Sequence, residues 1–389
     1  MNTKSPGFRS VAWRYPAAGV LEDLAIRTLE AEFGGGPRAA TGTAPGRVTL
    51  VGEHVDYVGG LVACMAIDLS VAVAVRPAQD GWWRATSAGR RVERSQPAMA
   101  CDVGDRLFAA ALALQPYDLR VPALEMAVEA DLPESVGLSS SAAVILAALV
   151  ATLRLTSARL TPEQLVTAAL VGEREIVGVP CGQLDQRAIV HSRARSVLIL
   201  NCATGGTQSA PWPSSDVNMV VATSGEHHDV GGAEYRARRE AAERACAILG
   251  VSNCQEIGGR WRELPSALQP CGRHIATETR RTGAAVSALE AGDFRSLGRI
   301  LDASHESLRA DCEVSTARLN AMSAAARAVP GCYGARLVGA GFGGSVIALV
   351  ESGATEHCLR AMTDVSRESS GWSVHPAPGL EVSAADVIG

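Results

Sequence analysis

The sequence predicts an α+β fold in two domains. Three observations carry that prediction. A chain of 389 residues is long enough for two domains of ordinary size, and at 47% hydrophobic residues it can bury a large core. Strand-like alternation and helical spacing intermix along it without the regular strand–helix–strand units of a doubly wound parallel sheet. The stretch Thr204 to Ser215, with two prolines and several serines, reads as a loop. A boundary near it divides residues 1–205 from 206–389.

Taken in order, Val20, Leu21, Leu24, Ile26, Leu29 and Phe33 recur at helical spacing and meet a Gly34-Gly35-Gly36 stop, so 20–33 is a helix. Pro45-Gly46 signals a turn, and Arg47 to Val51 alternates as a short strand. The stretch 61–86 is strand-like, with Trp82 and Trp83 closing a hairpin. Val121 to Ala130 alternates again and leads into the serines at 139–141. From Ser139 to about Leu153 the chain is helical and apolar. Thr161-Pro162 opens a second helix through 177. Strands are expected at 195–201 and 217–223, and an arginine- and alanine-rich amphipathic helix from Glu234 to Leu249. Helices then continue to about 328. Two last strands, 335–337 and 345–350, flank a glycine-rich loop.

Composition excludes several functions. Net charge is −5 with both signs spread along the chain, which leaves no basic stripe for nucleic acid. The N-terminus lacks the apolar stretch of a signal peptide, and the longest apolar run, Ala142 to Val150, is too short to span a bilayer. The ten cysteines form no C-x-x-C pair and sit largely in apolar surroundings, as reduced thiols do in a cytoplasmic protein. Histidines show no zinc spacing, and His227-His228 reads as a polar loop pair. Lys4, in the N-terminal tail, is the only lysine, so Schiff-base chemistry and a Walker-A loop are excluded. Any cation that acts on phosphate must be an arginine or a metal. A monomer and a weak homodimer both remain open.

The chemistry concentrates in four places. Residues 44–60 set Arg47, Glu53, His54 and Asp56 between glycines at a strand end. Paired carboxylates there accept hydrogen bonds from a polyhydroxylated small molecule, although a solvated polar turn has the same composition. Gly137-Leu138-Ser139-Ser140-Ser141-Ala142 precedes an uncharged helix start. Small residues let backbone N–H groups approach an anion, whereas an ordinary N-cap needs one serine. Asp185, between Gly182 and Gln186 in an apolar context, could take or orient a hydroxyl proton, or cap a helix. Gly339 to Gly344 holds four glycines in six residues, more than a hairpin needs. Close approach to a ligand or to the opposite domain accounts for them. No helix signal follows, so a dinucleotide fingerprint fits poorly.

These segments resemble the motifs of the galactokinases, within the GHMP small-molecule kinase superfamily. Ala44 to Gly60 is similar to the family signature, Pro133 to Ala143 to its phosphate-binding loop, and Gly178 to Gln186 to the segment with its catalytic aspartate. Ser304-His-Glu-Ser-Leu-Arg309 followed by Glu313-Val-Ser315 resembles a helical stretch typical of galactokinases, and Gly334 to Gly344 the third superfamily motif. They run in the family's order from about residue 44 to 350.

The resemblance implies a two-domain GHMP-kinase fold with the active site in the cleft between domains. It implies transfer of the ATP γ-phosphoryl group, with Mg²⁺, to a free monosaccharide, D-galactose first. Asp185 and Arg47 would be catalytic. Glu53, His54, Asp56, Gly182 and Tyr235 would bind the sugar; Tyr235 could equally be a buried structural tyrosine. Gly137, Leu138, Ser139, Ser140, Ser141, Ala142, Gly341 and Gly343 would bind ATP. Ser141 and Glu173 would hold Mg²⁺, with Glu175 competing and a solvated helix face open for both glutamates. Relatives that act on mevalonate or homoserine take a carboxylate, which Glu53 and Asp56 would repel by roughly a kcal/mol per close pair, so a neutral polyol fits better.

Thr49, Val55 and Val58 depart from the galactokinase pattern, which has asparagine, threonine and asparagine there, and an apolar wall from the two valines should relax the sugar fit. Ser135 stands where many members have glycine. A kinase for another galactose-like sugar such as N-acetylgalactosamine, and a sensor of sugar and ATP without turnover, are the alternatives.

Overall fold

The computed structural model describes residues 19–134, 136–212, 216–226 and 232–380. Lys4, Ser135, His227, His228 and the residues 213–215 of the expected inter-domain loop lie outside that description.

The chain runs α1 (Val20–Phe33), β1 (Ala40–Val51), β2 (Leu61–Pro77), β3 (Trp83–Ser87), β4 (Arg90–Arg94), α2 (Gly104–Leu112), β5 (Leu124–Ala130), α3 (Ser140–Thr156), α4 (Pro162–Val171), α5 (Leu184–His191), β6 (Ser196–Asn201), β7 (Thr207–Pro211), β8 (Val217–Thr223), α6 (Ala233–Leu249), α7 (Gln269–Glu290), α8 (Phe294–Ala310), α9 (Ala317–Arg327), β9 (Cys332–Val338), β10 (Ser345–Glu351), α10 (Thr355–Thr363) and β11 (Gly371–Val374). The fold is α+β, as the irregular mixture of elements predicts. A seven-stranded sheet has the order β4-β3-β5-β2-β6-β7, with β1 on β2, and a four-stranded sheet has the order β11-β8-β10-β9. β3 with β5 is the one parallel pair among the described strands.

Long β2 organises the first sheet. Its Leu61–Cys64 end pairs with β6 and its Val71–Pro77 end with β5, while β1 runs along its length. Helix α3 lies on β1, and Gly42 makes the approach possible. A Cβ there would stand 2.3 Å from the Ala147 carbonyl oxygen. In the second sheet, α8 meets β9 at a glycine pair. A Cβ on Gly298 would stand 2.0 Å from the Tyr333 carbonyl oxygen, and one on Gly334 would stand 2.1 Å from that of Gly298. No described helix is long and apolar enough to cross a membrane.

Four local expectations are corrected. Pro45-Gly46 does not turn the chain. It forms a bulge inside a continuous β1, where the register with β2 shifts between Pro45 and Arg47. Trp82 and Trp83 do not close a hairpin. β2 ends at Pro77, the hairpin of β3 with β4 turns at Ala88-Gly89, and Trp83 packs edge-on against Phe108. The loop from Thr204 contains β7, paired with β6, so the first sheet extends past residue 205 to Pro211. The helix from Pro162 changes at Gly172 to one π-helical turn, Gly172–Ile176. Such turns are rare and frequent at functional sites.

Candidate active site

The residues between β1 and β2 fold as a tight turn because two of them accept left-handed backbone. Gly52 has φ 112° and His54 φ 58°. A side chain on Gly52 would strike the Leu61 carbonyl oxygen at 2.7 Å, so β2 itself demands the glycine. The turn sends Glu53, His54 and Asp56 into a cleft of about 70 Å³. Arg47 from β1, Gly182 and Asp185 at the start of α5, Tyr235 from α6, and Gly339 and Ala340 from the loop after β9 line the same cleft. Residues far apart in sequence, taken from both halves of the chain, thus converge.

Arg47 and Asp185 form the tightest pair. Arg47 Nε donates to Asp185 Oδ1 at 2.8 Å, Nη2 lies 2.6 Å from the same oxygen, and Nη1 donates to the Gly137 carbonyl at 2.7 Å. The guanidinium therefore joins the aspartate to the serine-rich loop. Burial works against its charge, but Asp185 and Glu53 hold Arg47 above its usual range. Asp185 keeps 31% of its side chain exposed, on the open side of the cleft.

Glu53 Oε1 accepts from the Gly339 N–H at 2.7 Å and faces Arg336 Nη2 at 3.2 Å. Burial raises its pKa, opposed by Arg336, Arg47 and the Gly339 bond. Asp56 has no side-chain hydrogen bond among the described residues. Burial, then the charges of Asp185 and Glu53, push its carboxyl up to about 7. Its Oδ2 stands where a Cβ on Gly182 would be, 1.5 Å away, so only glycine fits there. Burial lowers His54 to about 4, which makes it neutral. Its Nε2–H donates to the Ala340 carbonyl at 3.0 Å, so Nδ1 accepts from the Tyr57 hydroxyl at 2.9 Å. Tyr57, His54 and Tyr235 form an aromatic cluster with centroids about 6 Å apart.

The serine-rich loop opens α3. Gly137 has φ 83° and Ser139 φ 63°. The Ser139 hydroxyl is buried without a partner and caps nothing, so the ordinary N-cap explanation fails for it. Ser140 and Ser141 stand half-buried in the first turn, and Leu138 and Ala142 are core residues. Gly339 meets this loop directly, since a Cβ on it would lie 3.0 Å from Gly137 Cα. The other glycines of that loop pack on the chain: a Cβ on Gly341 would strike the Val314 carbonyl oxygen at 2.4 Å, and one on Gly343 that of Glu226 at 2.7 Å.

Glu173 sits buried in the π-helical turn, its Oε2 accepting from Gln186 Nε2 at 2.6 Å. Burial and then Asp185 push it up to about 7. Among the described residues no three acidic, histidine or cysteine side chains gather as a metal cluster.

Val55 is fully buried and Val58 nearly so, packed with Val62, Cys64 and Leu184 rather than lining the cleft, so they build no apolar wall against a ligand. Thr49 is buried with its hydroxyl unpaired. Sequence reasoning missed Tyr57, Cys181 and Leu184 in the lining, and Arg336 and Glu278 behind it. Arg336 carried a readable signal, a lone charge in an otherwise apolar strand. The Ser304–Arg309 stretch, quoted without a role, proves to be the face of α8 that supports this layer. Ser304 Oγ donates to Glu278 Oε1 at 2.6 Å, and His305 Nδ1 accepts from the Leu337 N–H at 3.2 Å.

A mixed fold in two sheets, a small-residue loop at a helix start and a charged cleft that joins both halves define a small-molecule kinase of the GHMP class. Residues 28–77 match the Galactokinase galactose-binding signature, 105–193 the GHMP kinases N terminal domain and 285–366 the GHMP kinases C terminal. The galactokinase of Chloroflexus aurantiacus is 34% identical over 370 residues, covering 90% of this chain and 95% of its own. That of Homo sapiens is 32% identical over 367 residues, covering 90% and 93%. The Lactococcus lactis galactokinase complexed with galactose superposes with a TM-score of 0.85 at 25% identity, covering 92% of this chain and 99% of its own. The chain belongs to the galactokinase family and is an ATP-dependent sugar kinase.

Proposed function

We propose that the cleft binds D-galactose and that the anomeric hydroxyl receives the γ-phosphoryl group of ATP. The observation that carries this is the grouping of Glu53, Asp56 and Asp185 around one cleft with Arg47 as their counter-cation. Three carboxylates repel an anionic acceptor and supply acceptor oxygens to a neutral polyol. Asp56, without a side-chain hydrogen bond among the described residues, takes ring hydroxyls. Glu53 offers Oε2, since Oε1 is occupied. His54 closes the far end of the sugar, and Tyr235 and Gly182 complete the wall.

Asp185 orients the acceptor hydroxyl and takes its proton, while Arg47 steadies charge on the transferring group. The Ser139–Ser141 start of α3 presents hydroxyls and orphan N–H groups to phosphate. The unpaired Ser139 hydroxyl supports an anion there. Gly341 and Gly343 act through the shape they give the loop that backs this site. Ser141 and Glu173 would hold Mg²⁺, a cation that needs few protein oxygens and would supply neutralisation of phosphate charge. A domain division after β7, between Pro211 and Val217, places the phosphate loop and the signature turn in the first domain.

The test is ADP release from ATP across free hexoses, pentoses and amino sugars. Galactose should be used in strong preference to glucose, because a site built for one hydroxyl leaves polar groups unpaired on its epimer. Asp185→Asn should lower turnover by ~10²-fold or more while ATP binding persists. No sugar-stimulated ADP release, or an active Asp185→Asn, rejects the reading.

A further inference from the structure

We infer that Arg336 is a positioning residue for the acceptor sugar, acting through Glu53; this rests on the reading of the cleft as a sugar site. Arg336 heads the large side chains that are fully buried in this protein. Its strand, Cys332–Val338, is otherwise without charge. A guanidinium in such a place is costly unless each face is met. Nε donates to the Leu337 carbonyl at 2.7 Å and Nη1 to the Leu50 carbonyl at 2.8 Å, while Nη2 makes no hydrogen bond among the described residues and meets Glu53 Oε1 as an ion pair at 3.2 Å. One side chain thus fastens β9 to the end of β1 and to the carboxylate one turn later.

Arg336 does not line the cleft, so it meets the sugar only through Glu53. With Gly339 it fixes Oε1 and leaves Oε2, which has no partner among the described residues, as the acceptor. Glu278 supports the same turn from the other side. Its Oε1 accepts from the Gly52 N–H at 2.9 Å and its Oε2 from Arg281 Nε at 2.7 Å. His274 Nε2 donates to the Glu53 carbonyl at 3.0 Å. The backbone of the turn is therefore held without Arg336. What Arg336 adds is the nearest counter-charge to the Glu53 carboxylate, beside the direction that the Gly339 N–H gives it. Without it a buried carboxyl takes up a proton and becomes a donor where the sugar needs an acceptor.

The experiment compares the wild type with Arg336→Met, Arg336→Lys, Glu53→Gln and the double variant Arg336→Met/Glu53→Gln. It measures KM for galactose and for ATP, and the thermal shift that galactose induces. Arg336→Met should raise the galactose KM by roughly 30-fold or more, as expected when one member of a buried charge pair is truncated. The ATP KM should move by less than about 2-fold, and Arg336→Lys should recover part of the loss. In the Glu53→Gln background Arg336→Met should add less than about 3-fold, because residues that act as one unit are not additive. A galactose KM unchanged by Arg336→Met, equal rises in both KM values, or single losses that multiply in the double variant overturn the inference. If Arg336→Met does not fold, Arg336→Lys decides by the same split. A wild type that neither phosphorylates nor binds any sugar overturns the functional reading and this inference together. A wild type that uses galactose beside an Arg336 variant that loses nothing overturns the positioning role alone.

Discussion

Gly182 and Asp56 show how closely single residues are fitted in this cleft. The carboxylate oxygen occupies the volume a β-carbon of residue 182 would need. Gly182→Ala should therefore displace Asp56 and raise the galactose KM by at least tenfold, on the order of one displaced polar contact. Titration with a nucleotide analogue should find ATP affinity unchanged. Asp56 also gives a pH prediction. Its folded-state pKa, about 7, stands above the ordinary carboxylate value of 3.8. The folded protein then holds a proton that the unfolded chain has released. The contribution to stability is complete below the ordinary value and is lost as pH rises through about 7. Asp56→Asn should gain stability relative to the wild type between pH 5 and pH 8, measured by urea unfolding in the absence of sugar. A difference that stays constant over that range would show that Asp56 is not desolvated. At this scale the charged residues set among glycines pointed to the cleft that Glu53, His54, Asp56 and Asp185 are found to line. Arg336 stood out as a lone charge in an apolar strand, but its partner and the place of Glu278 did not, since nothing local says which buried carboxylate a strand arginine will meet. Val55 and Val58 pack into the core because a residue beside a cleft-lining one in sequence can point the opposite way.

Helix α8 owes its position to the glycine pair with β9, and it carries Ser304 and His305 to the layer behind the turn between β1 and β2. Gly298→Ala should push the helix from the strand and cost ~1–3 kcal/mol or more, the usual penalty for overpacking. Urea unfolding measures it. A loss below about 0.5 kcal/mol would mean that the contact is soft. At this scale periodicity succeeded where the pattern was strong. α1 and β8 were placed with the boundaries found. It failed where two signals compete. Pro45-Gly46 has turn composition, yet long-range pairing with β2 keeps the strand continuous through a bulge. β7 hides in a stretch of turn-forming residues because it is an edge strand, and edge strands tolerate such residues.

Across the molecule the two sheets are tied at many points. The segment after β11 returns to β2 of the first sheet, where the Ala377 N–H bonds to the Ala66 carbonyl at 2.9 Å, and to α5, where the Leu380 N–H bonds to the Ile189 carbonyl at 2.8 Å. Gly339 rests on the serine-rich loop before α3. With this much shared bonding the halves should not melt separately. Tryptophan fluorescence, with Trp83 in the first sheet and Trp372 in the second, should give the same urea midpoint as far-ultraviolet circular dichroism. Two separated midpoints would contradict it. The two-domain class was legible from length and element mixture. The sharing was not, because no local pattern reports that Glu53 is completed by a residue 286 positions later. That separation bears on biosynthesis. The signature turn leaves the ribosome early, with three carboxylates in its future neighbourhood and none of its distant partners yet made. Glu53 meets Arg336 and the Gly339 N–H only after β9 and the loop behind it have been translated and docked, so a nascent chain cut short before Arg336 carries the signature sequence without the contacts that complete Glu53.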